Sequence, residues 1–441
     1  MSKQQRYVEW FRSSAPYINA HRGRTFVVQF GGEVVLDPAF PNLVHDIALL
    51  ESLGIRLVLV FGVRPQVEHR LVERGSSMEY RGGRRITDEA ALAAVKEAAG
   101  AVRLEIEALL SMGLANSPMA GAGIRVVSGN FVLARPIGVR DGADFGYSGE
   151  VRRVDTESLD RHLHDGDVVL VPPIGFSPTG EMFNLGAEEV ATAIASSLPA
   201  AKLLLLGERA GVTDAADALV SQLTVAEATV LLARRRQQGF DAADEITRHL
   251  ISAIQACQSG VQRVHLLDRR VDGALLLELF TRDGVGTMVN ADPYDTMRRA
   301  TIDDVGGLLG LIEPLEHEGV LVRRSREKLE NEIQQFTVME RDGTVIGCAA
   351  GYPFRQEGVM ELACLAVHAD YAGGHRGDAL LQTVEKNARA MGLNRLFVLT
   401  TRAEHWFMER GFVKARLEDL PVERQALYNY KRNSKVLIKT L

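Results

Sequence analysis

A strand-length apolar run, a glycine turn and a helical stripe follow one another at the front of this chain, and that order limits the fold more than any other feature. Phe26–Phe30 carries no helical period and stops at Gly31-Gly32. Leu43, Val44, Ile47 and Leu50 then fall at helical spacing, and Leu57–Phe61 is a second apolar run ending at Gly62. Two strands joined through a helix must lie parallel, with a right-handed crossover. Further runs at Val168–Val171, Leu203–Leu206 and Val264–Leu267 are separated by long helical segments. Residues up to 290 therefore predict an open, mostly parallel α/β sheet. Within it, Ile124–Val127 and Phe131–Ala134 flank Ser128-Gly129-Asn130, which predicts a hairpin.

Residues 5–21 predict a separate helix, 1–22 in all, which Pro16 should kink or interrupt. Its apolar residues Tyr7, Val8, Phe11, Tyr17 and Ile18 need a partner, either their own domain or another subunit. The body 23–290 gives way to a polar linker at 291–297, where Asp-Pro breaks structure. A second domain, 298–441, opens on Thr301 with Asp304 three residues on, a capping-box arrangement. Ile302, Val305, Leu308, Leu309 and Ile312 form its first apolar stripe. Phe336–Glu340 and Val345–Gly351 flank Arg341-Asp342-Gly343, a hairpin signal. With a strand at Glu361–Val367, a helix at Gly377–Met391 and a strand at Leu396–Thr400, this reads as a smaller α+β domain.

Composition narrows the function classes. A net charge of −6 with 24% charged and 46% hydrophobic residues is ordinary for a globular chain and speaks against nucleic acid as a partner. Cys257, Cys348 and Cys364 show no metal-ligand spacing and no disulfide pattern, so a reducing compartment and no metal are expected. The N-terminus lacks an apolar signal core, and no apolar run reaches the roughly 18 residues of a membrane span. These features predict a soluble cytoplasmic protein with no membrane partner.

The stretch Glu361–Phe412 carries the chemistry. The strand ELACLAV runs into Ala372-Gly373-Gly374-His375-Arg376-Gly377 and then a helix. Glycines at such a turn let backbone N–H groups approach an anion, and the helix start adds roughly half a positive charge. That suits a pyrophosphate. The strand LFVLT and a Trp-Phe segment closing at Gly411-Phe412 complete the order.

In this order the second domain resembles the GCN5-related N-acetyltransferase superfamily. The resemblance implies that Cys364, Leu365, Ala366 and Val367 line the pantetheine arm of acetyl-CoA, the co-substrate, with no tightly bound cofactor. It implies that Gly373, Gly374, His375, Arg376 and Gly377 hold the pyrophosphate. The family pattern is Gln/Arg-x-x-Gly-x-Gly/Ala; Gly377 matches it, whereas Ala372 and His375 depart from it. At full length the segments YVEWFRSSAPYINAHRG, VVSGNFVLARPIGV, DGALLLELFTRDGVGT, LFVLTTRAEHWFMERGF and LYNYKRNSKVL resemble the fused, arginine-regulated N-acetylglutamate synthases of bacteria. That family makes N-acetyl-L-glutamate from acetyl-CoA and L-glutamate, the first step of arginine biosynthesis.

By this resemblance Arg324 and Arg432 bind the glutamate carboxylates, a task suited to a planar, always-charged fork. Arg323 and Arg326 lie close enough in sequence to be confused with them. Glu361 is implied as the general base, directly or through a water. Thr400 is implied as the donor to the departing thiolate, with Tyr428 as its rival. Cys364 reads as a small core side chain, not a nucleophile.

The first domain resembles the amino-acid kinases, closest to acetylglutamate kinase, with parts of the phosphoryl-transfer constellation replaced. Gln29 stands where those kinases carry lysine, Gly62-Val63-Arg64 where they carry three glycines, and Glu188 where they carry aspartate. A neutral amide cannot balance triphosphate charge, so no phosphorylation is expected. In arginine-sensitive relatives L-arginine binds between the N-terminal helix and the end of this domain, which implies Tyr17, His265, Glu278, Gly284 and Gly286 here. The N-terminal helix interlaces such relatives into hexamers, so a homo-hexamer is implied. Retained kinase activity, another amine acceptor and a non-enzymatic arginine sensor are the competing readings.

Overall fold

The computed structural model describes every residue except 1, 78, 82–83, 114, 116, 199, 215, 282, 291–294, 342, 372–375, 431 and 433. It divides into two compact units, Met1–Asp292 and Pro293–Leu441.

The first unit opens with helix α1 (Lys3–His21), capped by the Ser2 hydroxyl, and continues through Pro16 without interruption. The expected break does not occur. Proline at 16 frees only the carbonyl of Arg12, which lies on an exposed stretch where water can satisfy it. Strands β1 (Thr25–Phe30), β2 (Arg56–Phe61), β3 (Val126–Val127), β5 (Val168–Val171), β6 (Lys202–Gly207), β7 (Gln222–Thr224), β8 (Arg263–Asp268) and β9 (Thr287–Asn290) form one sheet in the order β7-β9-β8-β6-β1-β2-β5-β3. All neighbours are parallel except β8 and β9. The open parallel sheet expected from the alternating pattern is what forms.

Strand β1 shows why its run is apolar throughout. Phe26, Val28 and Phe30 pack on helices α2 (Phe40–Ser52) and α3 (Glu89–Leu110), while Val27 packs on α4 (Ala187–Ser197) across the opposite face. Each fully buried side chain of this size stabilises by roughly 1.5–3 kcal/mol. Helix α5 (Ala274–Phe280) lies between β8 and β9 in sequence and touches α1.

The hairpin expected around Ser128-Gly129-Asn130 is absent. Strand β3 pairs parallel with β5, and β4 (Val132–Pro136) pairs antiparallel with Gly149–Val154 in a second, four-stranded sheet. The tripeptide is a crossover between sheets. Its turn chemistry is suited to either role, and the partners available to each flank decided the outcome. At Gly129 a Cβ would sit 3.1 Å from the Phe131 ring, a tight contact that favours glycine.

The second unit holds one seven-stranded sheet. Strands β10 (Thr296–Arg299), β11 (Phe336–Arg341), β12 (Thr344–Phe354), β13 (Val359–Val367), β14 (Arg395–Thr400), β15 (Val413–Lys414) and β16 (Lys435–Thr440) run in the order β10-β11-β12-β13-β14-β16-β15. Thr296 and Met297, expected in the linker, belong to edge strand β10 because β11 offers them a partner at Glu340 and Met339. The Thr301–Asp304 capping box forms and leads into helix α6 (Val305–His317) on one face of the sheet. Helix α7 (Arg376–Ala390) covers the other through Leu380, Leu381, Val384 and Ala388. The shorter helices α8 (Glu404–Met408) and α9 (Val422–Ala426) follow. Among the described residues no helix is long and apolar enough to cross a membrane, and no group of three His, Cys, Asp or Glu is placed to hold a metal.

Candidate functional site

Strands β13 and β14 are the parallel neighbours in a sheet whose other pairs are antiparallel. Their pairing runs from Val359↔Arg395 to Leu362↔Val398 and stops there. Beyond that point β13 bends. On its other side the register with β12 passes from Ala350↔Ala363 to Cys348↔Ala366, so an extra residue of β13 is accommodated, and Cys364 takes a left-handed φ of 49°. A bulge of this kind turns a strand away from its neighbour. The backbone of Ala363–Val367 is left without a strand partner toward β14, an edge that an extended amide arm can join. Ligands of open sheets enter at such parallel carboxyl ends.

Cys364, Leu365, Ala366 and Val367 all lie on this open edge. The Cys364 thiol is buried, and burial first of all pushes it up to about 11. A thiol kept neutral fills space and is not poised for attack. Gly373, Gly374 and His375 lie outside the described residues. Gly377 begins α7 against Trp406, where a Cβ would stand 3.0 Å from the indole Cζ2. Arg376 donates to Asp295 Oδ2 at 2.7 Å and to the Tyr371 carbonyl at 3.1 Å. Asp378 in the first turn is paired with Arg410, whose guanidinium lies 3.9 Å from the Trp406 ring centre.

On the last paired stretch of β13 sits Glu361, 8% exposed. Arg424 on α9 grips it with both arms of its fork, Nε to Oε2 at 2.8 Å and Nη2 to Oε1 at 3.0 Å. Arg324 is half-buried; its Nη1 donates to the Val322 carbonyl at 3.1 Å. Arg432 donates to the Val320 carbonyl. The two side chains thus reach carbonyls two residues apart, and burial lowers the Arg432 pKa, with the Arg324 and Arg424 charges adding to that lowering. Among the described residues the buried Nε of both Arg324 and Arg432 lacks a hydrogen-bond partner. An unmet buried donor costs about 1–3 kcal/mol, and a dicarboxylic ligand would remove that cost. Arg323 and Arg326 are exposed, and Arg326 pairs with Glu330 at 2.8 Å. The structure thus separates the two pairs of arginines that the sequence left adjacent.

Thr400 ends β14 opposite Lys435, and its Oγ1 accepts the Ala403 N–H at 3.0 Å. That contact uses a lone pair and leaves the hydroxyl proton to donate elsewhere. Tyr428 donates its hydroxyl to the Ser434 carbonyl at 2.7 Å, so its proton is already committed.

In the first unit, β8, α5 and the turn before β9 bring His265, Glu278, Gly284 and Gly286 together. His265 Nδ1 meets Glu278 Oε1 at 2.6 Å, and Glu278 Oε2 accepts the Val285 and Gly286 N–H groups at 2.8 and 3.0 Å. Lys202 Nζ lies 3.2 Å from His265 Nε2. An ammonium donates, so it assigns Nε2 as acceptor and Nδ1–H as the donor to Glu278. Burial, aided by the Lys202 charge, lowers His265 to about 4 and keeps it neutral. Burial alone would raise Glu278; the His265 contact and two backbone N–H groups outweigh it and hold the carboxyl at about 2. Gly284 has φ +63°, and a Cβ there would lie 2.4 Å from Glu278 Oε2. Tyr17 lies half-buried on α1, which reaches α5 through Ser14 to the Phe280 carbonyl and His21 to the Leu279 carbonyl.

At the carboxyl end of β1, Gln29 is buried and its Oε1 lacks a hydrogen-bond partner among the described residues. Gly32 is packed so closely that a Cβ would stand 2.9 Å from the Gly62 carbonyl. Val63 is buried behind them, and Glu188 pairs with Arg248 at 2.9 Å. Gln29 brings a neutral amide, and no positive charge, to this crevice.

Two participants escaped the reading of the sequence. Lys202 left a usable signal, a lysine opening an otherwise apolar strand, where burial demands a partner. Arg424 left none: it is one arginine in a five-residue helix, and its partner lies 63 positions away.

Comparison with known proteins follows the same division. The amino acid kinase family model matches residues 24–268, and the acetyltransferase (GNAT) family model matches residues 308–412. The chain is 54% identical over 435 residues, 99% of each chain, to an amino-acid acetyltransferase of Pseudomonas putida. It is also similar to the crystal structure of N-acetylglutamate synthase from Neisseria gonorrhoeae complexed with coenzyme A and L-arginine, with 39% identity, 99% of each chain covered and a TM-score of 0.90. The same enzyme complexed with coenzyme A and N-acetyl-glutamate gives 39% identity, the same coverage and a TM-score of 0.63.

Proposed function

The chain belongs to the amino-acid acetyltransferase family, and from that premise we propose that it transfers the acetyl group of acetyl-CoA to the α-amine of L-glutamate under feedback inhibition by L-arginine. The observation that carries this reading is the end of the β13–β14 pairing at Leu362, with Glu361 beside it and buried, unmet donors on Arg324 and Arg432.

The pantetheine amides pair with the open backbone of Ala363–Val367, and the pyrophosphate takes the N-terminal end of α7, with Gly377 letting that helix start close to Trp406. Arg324 and Arg432 meet the acceptor's carboxylates with donors that are otherwise unmet. Arg424, absent from the sequence reading, joins them. Glu361 takes a proton from the ammonium, and the freed nitrogen lone pair attacks the thioester carbonyl carbon. When the C–S bond breaks, its electron pair leaves with sulfur. The nitrogen's second proton ends on the thiolate, which Thr400 steadies through its uncommitted hydroxyl. The products are N-acetyl-L-glutamate, CoA and the proton held by Glu361.

For the effector, Glu278 offers a carboxylate at the end of the Lys202–His265 chain, and Tyr17 on α1 packs on the apolar cluster that holds Leu275, Leu279 and Phe280 of α5. Three of its roughly four acceptor positions are used, leaving one for a guanidinium N–H. Arginine control then requires different arginine affinity in two arrangements of the protein. The exposed Tyr7, Trp10 and Phe11 on α1 suit packing against another copy, consistent with a homo-hexamer in the cytoplasm. Thiol-release kinetics against a panel of amino acids, with and without L-arginine, test the whole reading. Turnover confined to L-glutamate and suppressed by L-arginine is expected; no thiol release with any amino acid would overturn it.

A further inference from the structure

Arg424 is the guanidinium of the three whose charge a carboxylate already balances, and that carboxylate is Glu361. Both Glu361 oxygens are engaged in charge-assisted bonds of fork geometry. Each Glu361 oxygen has a lone pair committed to this fork, and turning toward an incoming ammonium strains both bonds. A side-chain fork of this kind can exchange one carboxylate for another. Arg424 projects from the five-residue helix α9, which follows Pro421 without a side-chain cap, and among the described residues its guanidinium donates to the two Glu361 oxygens. Arg324 and Arg432 donate to the neighbouring Val322 and Val320 carbonyls, and an anionic acceptor held by them brings a second carboxylate that can compete for the Arg424 fork.

We propose that Arg424 is a substrate-released clamp on the base: the side-chain carboxylate of the acceptor draws the Arg424 fork away from Glu361, and only then does Glu361 take the ammonium proton. This rests on reading Glu361 as the base. One arginine–carboxylate fork replaces another, so the exchange is nearly neutral for a dicarboxylic acceptor. An acceptor with a neutral side chain offers no replacement and leaves the base held. Selectivity is then written into kcat as well as KM, because the wrong acceptor binds through its α-carboxylate without freeing the base. Arg424 thus both binds the acceptor's side-chain carboxylate and, until then, holds the base.

The test uses the full-length protein with acetyl-CoA and two acceptors, L-glutamate and its neutral isostere L-glutamine. Arg424→Ala is expected to raise the KM for glutamate by about tenfold or more, and to raise kcat with glutamine several-fold above that of the unaltered protein. Arg424→Lys, a point charge without the fork, should fall between on both counts. Calorimetric titration with CoA shows whether each variant is folded. A glutamine kcat at or below that of the unaltered protein in a folded Arg424→Ala variant overturns the clamp and leaves Arg424 as a support. Should the alanine variant fail to fold, the same criterion applied to Arg424→Lys decides. A Glu361→Gln variant with undiminished kcat on glutamate removes the base assignment, and the clamp with it, and so separates that failure from a failure of the clamp alone.

Discussion

Glu278 in the first unit and Glu361 in the second are both buried glutamates with a basic partner, and they differ in what holds them. Glu278 is tied by two main-chain N–H groups and by a histidine on a central strand, itself fixed by Lys202. Glu361 is tied by one side chain on a short helix. Main-chain donors move only with their backbone, whereas a side-chain fork can swing to a competing anion. The first arrangement suits a permanent anchor for a ligand that must be sensed. The second suits a group that changes partner during turnover.

Glu361→Gln should give the largest effect. It removes the proton acceptor and is expected to lower kcat on L-glutamate by roughly 10²–10⁴ with CoA affinity kept, as steady-state kinetics and calorimetry will show. A variant that lost CoA binding equally would place Glu361 among the anchors and erase the contrast. Arg324→Ala and Arg432→Ala should each raise the glutamate KM by about 10–100-fold, measured at saturating acetyl-CoA. Glu278→Gln should leave glutamate turnover in place, abolish the response to L-arginine and cost about 1–3 kcal/mol of stability in denaturant melts. Turnover that fell with it would mean that the two glutamates are not separable in function.

Acid sharpens the comparison from another side. His249 and His265 are held by burial near pKa 4 in the fold, against 6.5 unfolded. Between those values the unfolded chain binds protons that the folded chain refuses, so stability falls as pH drops through that window. The first unit should lose on the order of 1–3 kcal/mol per histidine between pH 6.5 and 4, visible as a falling midpoint of a signal specific to it. His265→Gln should flatten part of that slope. The smallest effect belongs to Gly377→Ala: its Cβ would press on Trp406 at 3.0 Å, and a few-fold weaker CoA affinity, about 1 kcal/mol, is expected.

What the residues alone determined were the features that act over a few positions. The apolar runs ending at Gly31-Gly32 and Gly62, the Thr301–Asp304 cap and the Arg341–Gly343 hairpin all formed where local period and turn chemistry put them. The acidic, arginine-rich and glycine-rich positions of the candidate sites were legible through family resemblance. Tertiary structure alone decided that the flanks of Ser128-Gly129-Asn130 join different sheets, that β13 parts from β14 after Leu362, that Arg424 holds Glu361 and that Lys202 orients His265. Each of these is a choice among distant partners, 63 positions apart in both side-chain cases. Local propensity is silent on such choices, because a side chain or strand edge can satisfy its bonding with any segment that packing brings within reach.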